Sequence, residues 1–137
     1  MGTESGCDTH VLVADVVVMD DSAVLLVRAS PASDDAAVWG LPGDALRFGE
    51  APDACARRVL NEGLGLAPEW ITLAEVESAV EGGVWSLVFH FRCDADRPPA
   101  PGSAIAEARF FQIEHLPPTA HGAWERDVIY RVMTGAG

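Results

Sequence analysis

Apolar positions fall first into strand-like runs. From His10 to Asp20 the chain is rich in valine and predicts a strand, and Ala23 to Ala29 predicts a second. The turn Asp20-Asp21-Ser22 between them makes the pair a hairpin. Ser30 to Ala36 is a polar loop, Val38 to Leu41 a short apolar stretch broken by Pro42-Gly43, and Asp44 to Phe48 a short strand running into Gly49-Glu50. At Pro52 the period changes. Ala56, Val59, Leu60 and Gly63 recur at helical spacing, Pro52 and Asp53 suit a first turn, and Gly63 and Gly65 stop the helix.

Two further strands, Ile71 to Val80 and Val84 to Cys93, flank Gly82-Gly83. In the second, Trp85, Leu87, Phe89 and Phe91 are expected to face a core. The alternating set Ser86, Val88, His90 and Arg92 is mixed and suits a cleft wall. Pro98-Pro99 and Pro101-Gly102 stiffen a loop from Asp94 to Ser103. Ile105 to Ile113 is another strand, ended by Leu116-Pro117-Pro118. A final helix is expected from Ala120 to Met133, with Trp124, Val128 and Val132 on one stripe. Hairpins mixed with one central and one C-terminal helix predict an α/β (α+β) fold, a sheet with helices on its faces. Residues 10–137 read as a single domain after a flexible tail at 1–9.

The length, 137 residues, suits one domain, and 49% apolar with 22% charged residues is a globular balance. The net charge of −12 comes from 21 acids against 9 bases, all arginine. Having no lysine excludes a P-loop lysine and a Schiff-base lysine. The acidity argues against nucleic acid as a partner. A lysine-free chain rich in Ala, Gly, Arg and Pro also suggests a high-GC bacterial source. Cys7, Cys55 and Cys93 have no metal-knuckle spacing and read as two small buried residues plus one in the tail. The polar start carries no secretory pattern and no apolar run reaches membrane-spanning length, so no membrane partner and a cytoplasmic location are expected.

Chemistry concentrates between Leu41 and Leu66. A glycine-containing loop leads into a helix, with Asp44, Glu50 and Glu62 around it. Acids near such a loop can hold a divalent cation, and exposed backbone can approach phosphate. An ordinary turn before a surface helix is the alternative. The spacing here resembles the Nudix box, in which a glycine, five residues, a glutamate and seven residues precede arginine, paired helix glutamates and a final glycine. The box aligns from Asp44 to Leu66 without a gap: Glu50, Arg58, Leu60, Glu62, Gly65 and Leu66 match. Trp39 to Gly43 is similar to the usual approach to the box, and Glu107 before Phe110-Phe111 to a glutamate and aromatic that often follow. The resemblance implies a Nudix-like α/β/α sandwich with a central mixed sheet.

Three positions depart from the box: Asp44 stands for glycine, Val59 for the glutamate after the arginine, and Gly63 for the second paired glutamate. Positions 59, 62 and 63 share one helix face. In the family that face holds magnesium or manganese and activates water; here Glu62 alone remains. The metal candidates are therefore Glu62, Asp44 and Glu107, a weak site, with no metal expected if the cleft has been repurposed. The catalytic candidates are Glu62, Arg58 and Glu50, where Arg58 orients the loop and Glu50, or else pairs with Glu62 for about 0.3–0.5 kcal/mol. Gly43, Asp44 and His90 are the ligand-binding candidates, the Gly43 carbonyl as a possible metal-facing group. His90 also reads as a structural histidine. His10 and His121 are expected at the surface, His115 packed or capping, and the four tryptophans as packing residues.

The resemblance implies hydrolysis of a diphosphate linked to another moiety, commonly a nucleoside diphosphate derivative, at a reduced rate. Two alternatives stand beside it: a domain that binds a nucleotide-like ligand without turnover, and metal-independent acid–base chemistry by Glu62, Asp44 or His90. The partner expected is a small molecule; homodimerisation is left open.

Overall fold

The computed structural model describes residues 9–29, 38–119 and 123–135. The tail at 1–8 with Cys7, the polar loop at 30–36, His121 and the expected first turn of the final helix lie outside the described residues. The elements are β1 (Thr9–Asp20), β2 (Ala23–Ala29), β3 (Gly43–Ala45), α1 (Pro52–Leu64), β4 (Thr72–Glu81), β5 (Val84–Asp94), β6 (Ile105–Gln112), a 3-10 turn (Ile113–His115) and α2 (Ala123–Thr134). No described helix is long and apolar enough to cross a membrane.

The sheet runs β4-β5-β1-β2-β6. β1 and β5 are parallel and the other neighbours antiparallel. The valine run of β1 is explained by burial on both faces. Its even positions Ala14, Val16 and Val18 pack under α1 with Leu60 and Leu64. On the other face Val17 packs with Val128, Ile129 and Val132 of α2. One helix on each side of a mixed sheet is the expected α/β/α sandwich.

β1 and β2 pair only beside their turn, at Met19–Val24 and Asp20–Ala23. Beyond it they diverge, and segment 40–46 is laid into the gap. Gly40 exchanges hydrogen bonds with Val27 at 2.8 and 3.0 Å, Val16 N–H donates to the Pro42 carbonyl at 3.0 Å, and Leu46 N–H to that of Leu12 at 2.8 Å. The fit requires glycine at 43, where a Cβ would stand 2.8 Å from Asp15 Cβ and 2.9 Å from the Ala14 carbonyl oxygen.

The α1 helix stops at Gly65, not Gly63. Gly65 adopts φ 66°, and its N–H donates to the Asn61 carbonyl. The proline-rich loop supplies further donors to the helix end, Ala100 N–H to Leu64 at 2.7 Å and Gly102 N–H to Gly63 at 2.8 Å. Other boundaries move too. β3 ends at Ala45 and leaves Phe48 fully exposed, because the chain turns at 46–49 instead of following β1. Trp85 is 49% exposed because α1 covers β1 and the far half of β5 but not the β4–β5 hairpin end, and Trp70, in the connection before β4, is 78% exposed. Among the described tryptophan side chains, Trp39 is the packing one, edge-on to Phe111; that of Trp124 lies outside the described residues.

Gly43→Ala is expected to lower unfolding stability by about 1–3 kcal/mol, measured by urea denaturation. An unchanged value would mean that segment 40–46 shifts freely off β1.

Candidate functional site

Segment 40–46 is fixed from both faces of the sheet. From α1, Arg58 forks onto Glu50, with Nε to Oε2 at 2.8 Å and Nη2 to Oε1 at 3.0 Å. Its Nη1 donates to Asp44 Oδ2 at 3.1 Å, and Nη2 to the Ala45 carbonyl at 3.3 Å. Glu50 also accepts the Arg47 N–H at 3.0 Å. The bonds from Arg58 and then from Arg47 hold the Glu50 carboxyl down to about 2. From α2, the buried Glu125 accepts the Leu41 N–H at 2.9 Å. Arg58 thus reaches Glu50 and Asp44, and not Glu62 as helix spacing allowed. Glu62 is exposed and faces Arg47 at 3.9 Å.

Two cavities of about 500 Å³ share Leu41, Gly43 and Asp44 as a common wall. The cavity on the α1 side is lined by Arg58, Val59, Glu62 and Gly63, with Gly102 and Ile105 opposite. The structure thus brings Gly43, Asp44, Arg58 and Glu62 to one place, with Glu50 behind Arg58. Glu107 is not among them. It lies on β6, where Arg28 at 2.9 Å and Arg109 both pair with it and lower its carboxyl below the usual range. Both arginines also stack on Trp39.

The donor set does not fit a divalent ion held by the protein. Magnesium requires six oxygen ligands in near-octahedral order. The helix face offers one carboxylate, Glu62, while Val59 and Gly63 offer no side-chain oxygen. Asp44 already bonds Arg58 and the Ala45 N–H. A Cβ on Gly63 would meet Ile105 Cδ1 at 3.3 Å, so apolar carbon crowds the space where a second acid would project.

The cavity on the α2 side is acidic. Asp15, Asp44, Glu77, Glu81 and Glu125 face it, and none of its described lining residues is cationic. His90 lies behind this wall, fully buried. Its Nδ1 is 2.6 Å from Asp15 Oδ1 and its Nε2 3.0 Å from Glu77 Oε1. When both carboxylates are ionised, contact with the two of them takes two N–H groups, hence the imidazolium. Burial opposes that charge, but the bonds to Asp15 and then Glu77 outweigh it and raise the affinity of His90 for its proton. Glu75, Glu77 and His90 bring ligand atoms within 4.8 Å of one another, yet Arg131 holds Glu75 at 2.7 Å and both ring nitrogens are occupied. The group is closed by charge pairing, and His90 does not itself reach either cavity.

Asp15, Glu77 and Glu125 escaped the sequence reading. Asp15 had a signal, as the one acid inside a run of valines. Glu77 and Glu125 had none, since each reads as an ordinary polar position. His10 and His115 are exposed. Burial pushes the Cys55 thiol up, and that of Cys93 up to about 11, so both act as small apolar groups and not as nucleophiles.

A NUDIX domain match spans residues 9–132. Among solved structures, the MutT NUDIX hydrolase from Burkholderia pseudomallei is 22% identical, with a TM-score of 0.73 over 90% of this chain and 98% of that one. A UDP-X diphosphatase is 20% identical, with a TM-score of 0.79 over 94% of this chain and 65% of its own. The NUDIX domain of Shewanella oneidensis NrtR, solved with ADP ribose, is 17% identical, with a TM-score of 0.75 over 94% and 90%. At these identities the likeness is one of fold. No protein with a curated description matches the chain.

The charge pairs set opposite limits on pH stability. His90 binds its proton more tightly folded than unfolded, so its contribution is complete below about pH 6.5 and is lost as pH rises through the folded value. His90→Leu is expected to cost roughly 3–5 kcal/mol near pH 6 and to flatten the basic-side decline in thermal midpoint. Parallel declines in both proteins would remove His90 as the cause. Glu50 acts in the other direction: its contribution is present above about pH 4.5 and lost as pH falls toward about 2. Glu50→Gln is expected to shallow that acid limb in the same melts.

Proposed function

The chain belongs to the NUDIX domain family, and on that premise we propose that it binds a diphosphate-linked small molecule, a nucleoside diphosphate derivative, at the wall formed by Gly43 and Asp44, and hydrolyses it only slowly. The observation that carries this is the helix face at the α1-side cavity, where Glu62 stands as a carboxylate between Val59 and Gly63. Gly43 and Arg58 support the same reading: they set the loop against the cavity whatever the helix acids do.

Charge divides the ligand between the two cavities. The acid-lined α2 side repels phosphate and favours a group rich in hydrogen-bond donors. Phosphate is less disfavoured on the α1 side, although Arg58 there is already matched by Glu50 and Asp44. A magnesium or manganese ion entering as a complex with the substrate's phosphates needs only one or two protein carboxylates, and Glu62 is the one offered. Water as nucleophile, a cytoplasmic setting and a bacterial origin belong to the same proposal. A second reading, a domain that binds without turnover, is favoured by the two missing helix acids.

The test is a panel of ADP- and UDP-linked derivatives, scored by thermal shift for binding and by phosphate-containing product for turnover, with and without magnesium. Binding is expected, with slow magnesium-dependent product formation that Glu62→Gln removes. Val59→Glu combined with Gly63→Glu is expected to raise the rate at least about tenfold. Binding without turnover by the native chain, with turnover gained in the double variant, would select the non-catalytic reading. A double variant that binds manganese and hydrolyses none of the panel would end the diphosphate assignment.

A further inference from the structure

We propose that the uncovered part of the α1-side sheet face is a self-association surface, on which a second copy of this chain docks face to face about a two-fold axis. It is independent of the activity proposed above. The α1 helix covers β1 and the far half of β5, and leaves a corner made by β4, the start of β5 and the start of β1. There Val80 is 72% exposed, Trp85 49%, Val76 47% and Leu12 43%, and Phe48 beside them is fully exposed. Trp85 is not loose: its Nε1–H donates to Ser78 Oγ at 2.7 Å across the strand pair. An exposed indole fixed in one orientation is a preorganised anchor, since docking it costs little further side-chain entropy.

Charge selects the partner. The chain carries −12, yet no acid or arginine stands on this face at positions 76 to 80 of β4 or 85 to 91 of β5. A cationic partner would be drawn to the acids elsewhere. An uncharged apolar face is complementary to itself and can meet its copy without bringing like charges together. Charge also selects the mode. The other face of β4 carries Glu75, Glu77 and Glu81, so adding a second β4 edge to edge would align these acids with their copies. Packing through the apolar faces avoids that.

Shape and area agree. Phe48 borders a groove of about 580 Å³ between the start of β1 and the 45–50 loop, lined also by Leu12 and Leu46, with His10, Arg47 and Glu50 as its polar part. A knob and a groove side by side on one face are what a two-fold pair can exchange. Complete burial of these two aromatic and three aliphatic residues would remove roughly 600 Å² per copy, most of the about 800 Å² per partner in a standard interface.

The experiment is sedimentation velocity of the full chain from about 1 to about 100 µM, alongside Val80→Glu and Phe48→Asp, each at a position whose exposure leaves the fold intact. The expected result is a wild-type dimer. Each variant should dissociate at least about tenfold more readily, with circular dichroism unchanged. A wild-type chain that stays monomeric throughout, or a dimer that survives both substitutions, would overturn the proposal. So would a monomer that becomes a dimer once residues 2–8 are deleted, because that assigns the face to the chain's own N-terminal segment.

Discussion

Arg58 joins parts of the chain that strand pairing leaves separate. β1 and β2 diverge after two pairs, and β3 is only three residues long. The turn that follows would otherwise have little to set its course. The planar guanidinium occupies both oxygens of Glu50 and still reaches Asp44. An ammonium group offers no such fork. With Glu125 holding Leu41 from the opposite face, one stretch of backbone becomes the shared wall of two cavities. The geometry of both depends on the same clamp.

The same economy of charge explains why so few acids are available for chemistry. In a chain with 21 acids and 9 arginines, arginines at the site are committed to carboxylates that the sequence offers as candidate ligands or catalytic groups. Arg58 takes Glu50 and Asp44, and Arg28 with Arg109 takes Glu107. On the other face His90 takes Asp15 and Glu77. Glu62 has only Arg47 at 3.9 Å, and both are well exposed. Such a contact is weak in water. The pocket is thus better organised for shape than for holding bare charge.

Much of the architecture was legible because it follows from period and punctuation. The valine run reported the strand β1, though not that both its faces are buried, and Ala56 and Leu60 reported the packed side of α1. The resemblance to the Nudix box carried the pairing of Arg58 with Glu50, whereas helix spacing alone pointed Arg58 toward Glu62. What stayed hidden depends on contacts between distant segments. The partners of His90 come from two other strands, and nothing local marks Glu77 as facing it. Trp85 alternates correctly with its neighbours and is still half exposed, because alternation names a face and not how far the covering helix extends.

The crossing of the proline-rich loop over the end of α1 bears on the outer face of that helix. Gly102 lies so close to the helix that a Cβ there would be 3.1 Å from the Glu62 carbonyl oxygen, and Ile105 overhangs Gly63. These contacts use backbone and small residues, so they do not depend on which side chains the outer face of the helix carries. A side chain at 63 would press on the tip of Ile105, which must give by a few tenths of an ångström. What the helix face can present is therefore set in part by the rotamer of a residue on the next strand.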